Sequence, residues 1–245
     1  MAPIIVDDEA KLKTLLNHVA QRVGEEEKQL VFVDLEGVNL GRRGAVAIMQ
    51  LLIPPSPTVY LVDVHVLGPR AFEVTVDNES SLRSMLESQT IFKVFFDIRN
   101  DSDALHAHFG INVAGIIDLQ VLECATRQPR GSYLSGLAKC IERDLPYDPA
   151  RTRIKANGRR LFAPEAGGRY EVFLERPLAT DIVEYCEQDV LCMPKLLAQY
   201  AVTLHPSVAA QLQAIVDDRI RLSKTATFNG KGRHMAVAPY IAPAR

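Results

Sequence analysis

Asp34 and Glu36 stand in the stretch Val31-Phe32-Val33-Asp34-Leu35-Glu36-Gly37-Val38-Asn39-Leu40, where three apolar residues run into two carboxylates and then a glycine that lets the chain turn. β-Branched and aromatic residues favour a strand here. Side chains alternate along a strand, so Asp34 and Glu36 share one face of its end. Two carboxylates at the end of a buried strand need positive charge beside them, because unpaired buried charge is costly. A divalent cation fits, since hard cations take carboxylate oxygens. Taken alone, an Asp-x-Glu pair serves ordinary turn chemistry as well. A catalytic reading requires matching acids elsewhere in the chain.

The elements that must position such acids follow from periodicity. Residues 7–23 place Leu12, Leu15, Leu16, Val19 and Val23 at helical spacing, with Asp7 or Asp8 as the cap. Gly24, Glu25, Glu26, Glu27 and Lys28 read as a polar loop, a solvated charge run. Strands are expected near 30–35, 45–53 and 58–64, and Pro54, Pro55 and Pro57 break the second of them. Their short links favour antiparallel pairing. Residues 65–76 read as loop. A helix over 78–86 turns Leu82, Met85 and Leu86 inward, followed by a fourth strand at 91–96, a helix at 100–109 and a short fifth strand at 115–118. Helices follow at 119–126 and 133–142, the latter capped by Ser132.

Residues 151–176 contain Gly158, Gly167, Gly168 and one proline, Pro164, with seven Lys or Arg against three acids, and read as a long basic loop. The pattern over 181–199 is helical, with Asp181 and Glu184 spaced as a capping box and Pro194 expected to kink it. A last helix covers about 207–222. Three adjacent antiparallel strands followed by alternating helices and strands predict an α/β fold: a ribonuclease-H-like mixed five-stranded sheet with helices on both faces. The expected organisation is one domain over residues 1–205, with a C-terminal helix and basic tail over 206–245 packing on it or extending from it.

Such a core brings two further acids to the end of the first long strand. Asp101 lies at the start of the helix after the fourth strand, and Asp189 on the helix that begins near 181. Tyr185 is one helical turn before Asp189, so both point the same way. The chain resembles a known family at these residues: the Tyr-type DEDD 3′-5′ exonucleases, in particular ribonuclease D and the 3′-5′ exonuclease domain-containing, Egalitarian-like group. The first motif is Val33-Asp34-Leu35-Glu36-Gly37. The second is Lys93-Val94-Phe95-Phe96-Asp97-Ile98-Arg99-Asn100-Asp101. The third is Arg176-Pro177-Leu178 with Glu184-Tyr185-Cys186-Glu187-Gln188-Asp189-Val190.

The resemblance implies a metal-dependent 3′-5′ exonuclease that hydrolyses phosphodiester bonds from the 3′ end of single-stranded nucleic acid, with RNA favoured over DNA. It implies that Asp34, Glu36, Asp101 and Asp189 hold two Mg²⁺ or Mn²⁺ ions and that Tyr185 orients the attacking water. Two such ions roughly 3.5–4 Å apart can stabilise both the attacking and the leaving oxygen. The His-type branch carries a histidine five residues before the last Asp, where this chain has Glu184. Asp97 competes with Asp101 for the second-motif role; the motif match favours Asp101 and leaves Asp97 as a helix cap. Asn39, Leu40, Arg99 and Asn100 flank the acids and are candidate contacts to the terminal sugar or phosphate. The basic stretch 151–176 and the tail 219–233, with five basic residues and no acid, are candidate phosphate tracks, or simply solvated surface. The competing reading is an inactive RNA-binding scaffold of the same fold. The presence of all four acids and the tyrosine speaks against it.

Composition bounds the rest. The chain has 245 residues, is 47% hydrophobic and 24% charged, contains no Trp, and has a formal net charge of -2. A nucleic-acid partner must therefore be held by local patches and not by a global basic field. Cys124, Cys140, Cys186 and Cys192 form no Cys-x-x-Cys pair, which excludes the usual zinc and redox motifs and fits reduced thiols inside the cell, in cytoplasm or nucleus. The apolar runs are too short for a membrane span. Residues 1–10 carry Asp7, Asp8 and Glu9 and no basic start, unlike a secretory leader.

Overall fold

The computed structural model describes residues 2–23, 29–129 and 131–242, and the side chains of Arg22 and Val23 are outside it. The polar loop expected at 24–28 lies outside the described residues. The first strand, β1 (Ile4–Val6), leads into α1 (Glu9–Val23). Asp8 caps that helix, accepting from the backbone N–H of Lys11 at 2.8 Å. Then come β2 (Leu30–Val38), β3 (Ala45–Leu52) and β4 (Val59–Asp63), with β2/β3 and β3/β4 antiparallel. Two short helices, α2 (Val64–Leu67) and α3 (Arg70–Glu73), occupy the stretch expected as loop; each is a single turn, below the length at which periodicity speaks.

The chain continues through α4 (Leu82–Glu87), β5 (Phe92–Phe95), α5 (Ile98–Phe109), β6 (Ile116–Asp118) and α6 (Leu119–Thr126). It ends with α7 (Leu137–Asp144), α8 (Pro149–Phe162), α9 (Thr180–Thr203) and α10 (Ala209–Ser223). A reciprocal Ser81/Ser84 capping box starts α4. The six strands form one sheet in the order β1-β4-β3-β2-β5-β6, with β1 parallel to β4, β5 to β2 and β6 to β5. The sheet thus has six strands, not five. The extra one, β1, is a three-residue edge strand whose partner is far off in sequence, so no local pattern announces it. Every residue of β4 is buried, as is β3 after its first residue, so the sheet is covered on both faces.

Gly37 does not turn the chain. β2 runs on to Val38 through a bulge between Glu36 and Gly37, and a Cβ at Gly37 would meet the Ala45 carbonyl oxygen at 1.9 Å. Only glycine lets β3 come this close, and the bulge re-aims the strand just past Glu36. The expected helix at 133–142 begins instead at Leu137 behind Gly136, and Ser132 caps nothing there. Asp181 is no capping box either: α9 starts one residue earlier behind Ala179, and Asp181 accepts from the Asn157 side chain at 3.3 Å.

The largest correction concerns residues 151–176. The first part of this stretch, through Phe162, is α8, started by Asp148, whose carboxylate accepts from the N–H groups of Ala150 and Arg151, with Pro149 in the first turn. 3₁₀ turns at Pro164–Ala166 and Tyr170–Leu174 follow.

Candidate active site

The three elements that converge are β2, α5 and α9. Asp34 and Glu36 come from the end of β2 and Asp189 from the middle of α9. One carboxylate oxygen of each lies within 4.8 Å of the other two. Asp101, in the first turn of α5, stands beside this trio and not within it. It is buried, feels the charge of Asp34, and its Oδ1 has no hydrogen-bond partner among the described residues. Gln50 faces Asp34 across the β2/β3 ladder, fully buried, and neither of its amide atoms is hydrogen-bonded among the described residues.

Crowded carboxylates resist ionisation. Burial and then the neighbouring Asp189 push the Asp34 carboxyl up to about 8. Burial, then Asp34 and Asp189, hold Glu36 well above the carboxylate range. Burial and Asp34 do the same for Asp101. Among the described residues a single cation answers these acids: Lys155 of α8, whose ammonium ion-pairs with Asp189. The arrangement fits divalent metal on three counts: the donors are all oxygens, the cluster is short of positive charge, and buried polar atoms around it lack partners. Asp34, Glu36 and Asp189, with Asp101 alongside, are the residues that could hold it.

Tyr185 precedes Asp189 by one turn of α9. Its ring is edge-on to Phe162 at a centroid distance of 4.8 Å, and the Lys155 ammonium lies 3.6 Å from its centroid. Burial first, and then Asp189, keep the phenol protonated far above neutrality. Gly158 explains how α8 reaches this place. A Cβ there would sit 2.4 Å from the Cβ of Tyr185, so only glycine allows the two helices this close. Sequence reasoning missed Lys155, counting it as one of seven charges on a loop. The signal was the spacing Ile154, Lys155, Gly158, Leu161, Phe162, one inward face of a helix that starts with Asp-Pro.

Asp97 is neither a free ligand nor a cap. It lies in the left-handed region at φ 64°, and its side chain makes no capping bond. Both its oxygens are taken by Arg99, and Arg219 lies 3.5 Å away. The capping falls to Asp118 at the end of β6, which accepts from the N–H groups of Asp97 (3.0 Å) and Ile98 (3.2 Å). Among the flanking candidates, Arg99 also donates to the Met235 carbonyl at 2.9 Å. Asn100 donates to the Gly230 carbonyl at 3.4 Å, and Asn39 accepts from Lys231 at 3.1 Å. Leu40 packs against the core. Three of the four thus bond to the C-terminal segment. The basic stretch is largely spent on internal pairs, Arg159–Glu165, Arg169–Glu175 and Arg176–Asp63 among them, and Arg219 of the tail is buried against Asp118.

A sheet of this order with acids at the end of its central strand defines a class, and the chain belongs to it: the 3′-5′ exonuclease family, whose model matches residues 3–200. Among curated proteins the chain is similar to piRNA biogenesis protein EXD1. It is 28% identical to the protein of Homo sapiens over 222 residues, covering 86% of this chain and 39% of that protein. For that of Mus musculus the figures are 26% over 189 residues, 73% and 31%. The chain therefore spans well under half the length of these relatives. Among solved structures, Trypanosoma brucei RNase D in its complex with GMP superposes with a TM-score of 0.69 at 21% identity, covering 96% of this chain and 68% of that one. Escherichia coli RNase D does so at 0.62 and 19%, covering 92% and 52%. The fold is that of RNase D, the ribonuclease-H-like sheet.

Proposed function

We propose that the chain is a metal-dependent 3′-5′ exonuclease of the Tyr type, acting on the 3′ end of a single nucleic-acid strand, with RNA the preferred substrate. The activity belongs to a domain of residues 1–205, with residues 206–245 as an appendage on its edge. The observation that supports this reading above others is the meeting of Asp34 and Glu36 with Asp189, far off in the chain, and with Tyr185 one turn from Asp189. The preference for RNA draws on the relatives: one solved structure is of Trypanosoma brucei RNase D in complex with RNA U12, and the curated relatives are named for piRNA biogenesis.

In this reading Asp34, Glu36, Asp101 and Asp189 hold a pair of Mg²⁺ or Mn²⁺ ions. When bound, such ions supply positive charge to both the attacking and the leaving oxygen of an in-line displacement. Tyr185, protonated at neutral pH, directs the water with its hydroxyl and does not take its proton. Lys155 keeps the ring of Tyr185 in place and lends a positive charge next to the scissile phosphate.

The test is digestion of 3′-labelled and 5′-labelled RNA and DNA strands with Mg²⁺, Mn²⁺ or EDTA. Stepwise loss from the 3′ end is expected, faster on RNA, abolished by EDTA and by Asp34→Asn. Tyr185→Phe is expected to lower the rate by about 10²-fold at little cost in strand affinity, the size of loss that follows from a misplaced reactant. Tight, metal-independent binding without cleavage would instead make the chain an RNA-binding scaffold.

A further inference from the structure

The C-terminal segment after α10 returns to the 39–43 turn and the start of α5. Residues 226–231 face the 39–43 turn and α5 and enclose with them a cleft of about 530 Å³, within the ~300–1,000 Å³ typical of ligand sites. Two side-chain bonds hold the strap there, Lys231 to Asn39 and Asn100 to the Gly230 carbonyl. The fit is close: a Cβ on Gly230 would meet the Asn100 side-chain oxygen at 1.9 Å. Phe228 lines the cleft, with the Arg42 guanidinium 5.8 Å from its ring centroid. Arg42 is neutralised by Asp103, but Arg43 of the turn and Lys231 of the strap are exposed cations that line the cleft. Asn39 follows Glu36 by three residues and Asn100 precedes Asp101, so two of the cleft's polar residues are near neighbours of the acids along the chain. The strap lies beyond residues 3–200, the region matched to the family.

An aromatic ring, two exposed cations and two amides around a cleft of this size have the chemistry of a nucleotide site: a π-face for a base, charge for a phosphate, polar groups for a sugar. We propose that the strap completes a nucleotide subsite, in which one nucleotide of the substrate strand stacks its base on Phe228 and sets its phosphate on Lys231 and Arg43. This rests on the exonuclease reading and adds to it a wall built from residues outside the catalytic core.

The experiment compares wild type with Phe228→Leu and Lys231→Ala, neither of which touches the acid cluster. A 5′-labelled single-stranded RNA is the probe. Binding is measured in the Asp34→Asn background to prevent cleavage, cleavage in the otherwise unaltered chain, and Mn²⁺ affinity and melting temperature for each variant. Phe228→Leu is expected to weaken binding about 5- to 100-fold, the range of one lost base stack. Lys231→Ala is expected to flatten the log-log salt dependence of binding by about 0.7, one phosphate contact on a single strand. Both should leave Mn²⁺ affinity unchanged. If wild type degrades the strand and both variants bind it as wild type does, the subsite is overturned and the exonuclease stands. A variant that cleaves faster than wild type would show the strap to be a cover and would equally overturn it. If wild type neither binds nor degrades the strand, both readings fall. Lys231 is exposed, so its variant carries the test should Phe228→Leu fail to fold.

Discussion

At the scale of single residues, the acid cluster is a place where protonation and cation binding compete. The Asp34 carboxyl titrates at about 8 in the folded chain against 3.8 in a free one. Between those values the folded state binds more protons than the unfolded state, so stability falls as pH rises from about 4 to about 8. Melting temperatures of the EDTA-treated protein across that range should decline, and Asp34→Asn should lessen the decline. Added Mg²⁺ should restore stability most at the alkaline end, where the carboxylates are free to take it. A flat profile would mean that the acids are not crowded as the geometry has them. The acids themselves were legible in the sequence because each sits at a strand end or in a short motif. Lys155 was not, since a lysine on a charged helix looks the same whether it faces water or an acid cluster.

At the scale of elements, the packing of α8 on α9 decides where Tyr185 points. Gly158→Ala would insert a methyl group 2.4 Å from the Tyr185 Cβ. Overpacking of this kind costs about 1–3 kcal/mol. The expected outcome is a lower melting temperature and a fall in the rate of cleavage beyond that of a solvent-facing control such as Arg153→Ala, measured at equal folded fraction. Central strands and α6 could be read in the chain, because alternation or helical spacing runs through their apolar residues. α8 could not, because two of its inward positions are Lys155 and Gly158, which break the apolar stripe and suggest a loop. Its start was nevertheless written in Asp148-Pro149, the chemistry of a capped first turn. β1 was missed for the opposite reason: Ile4–Val6 is apolar, but three residues hold too little pattern to separate a strand from a tail.

At the scale of the whole molecule, the C-terminal helix is tied to the sheet by buried charge. Arg219 donates to Asp118 at 2.7 Å, and Asp118 is fully buried. Arg219→Met removes the cation and leaves the anion; loss of about 3–5 kcal/mol is expected, read by denaturant unfolding. The double variant Arg219→Met with Asp118→Asn should recover part of that loss. Helix α10 was expected from its spacing. Its pairing with Asp118 was not, since a strand-end acid and a tail arginine have no common motif. Asp118 also holds the first N–H groups of α5, the helix that bears Asp101. The match to the family's model ends at residue 200, while among the described residues the counter-ion for Asp118 arrives only with Arg219. A polypeptide trimmed at residue 200 would therefore strand an anion beneath the turn that carries Asp101. For this protein, the family model's bounds and electroneutrality draw the border in different places, and the second is the one to cut by.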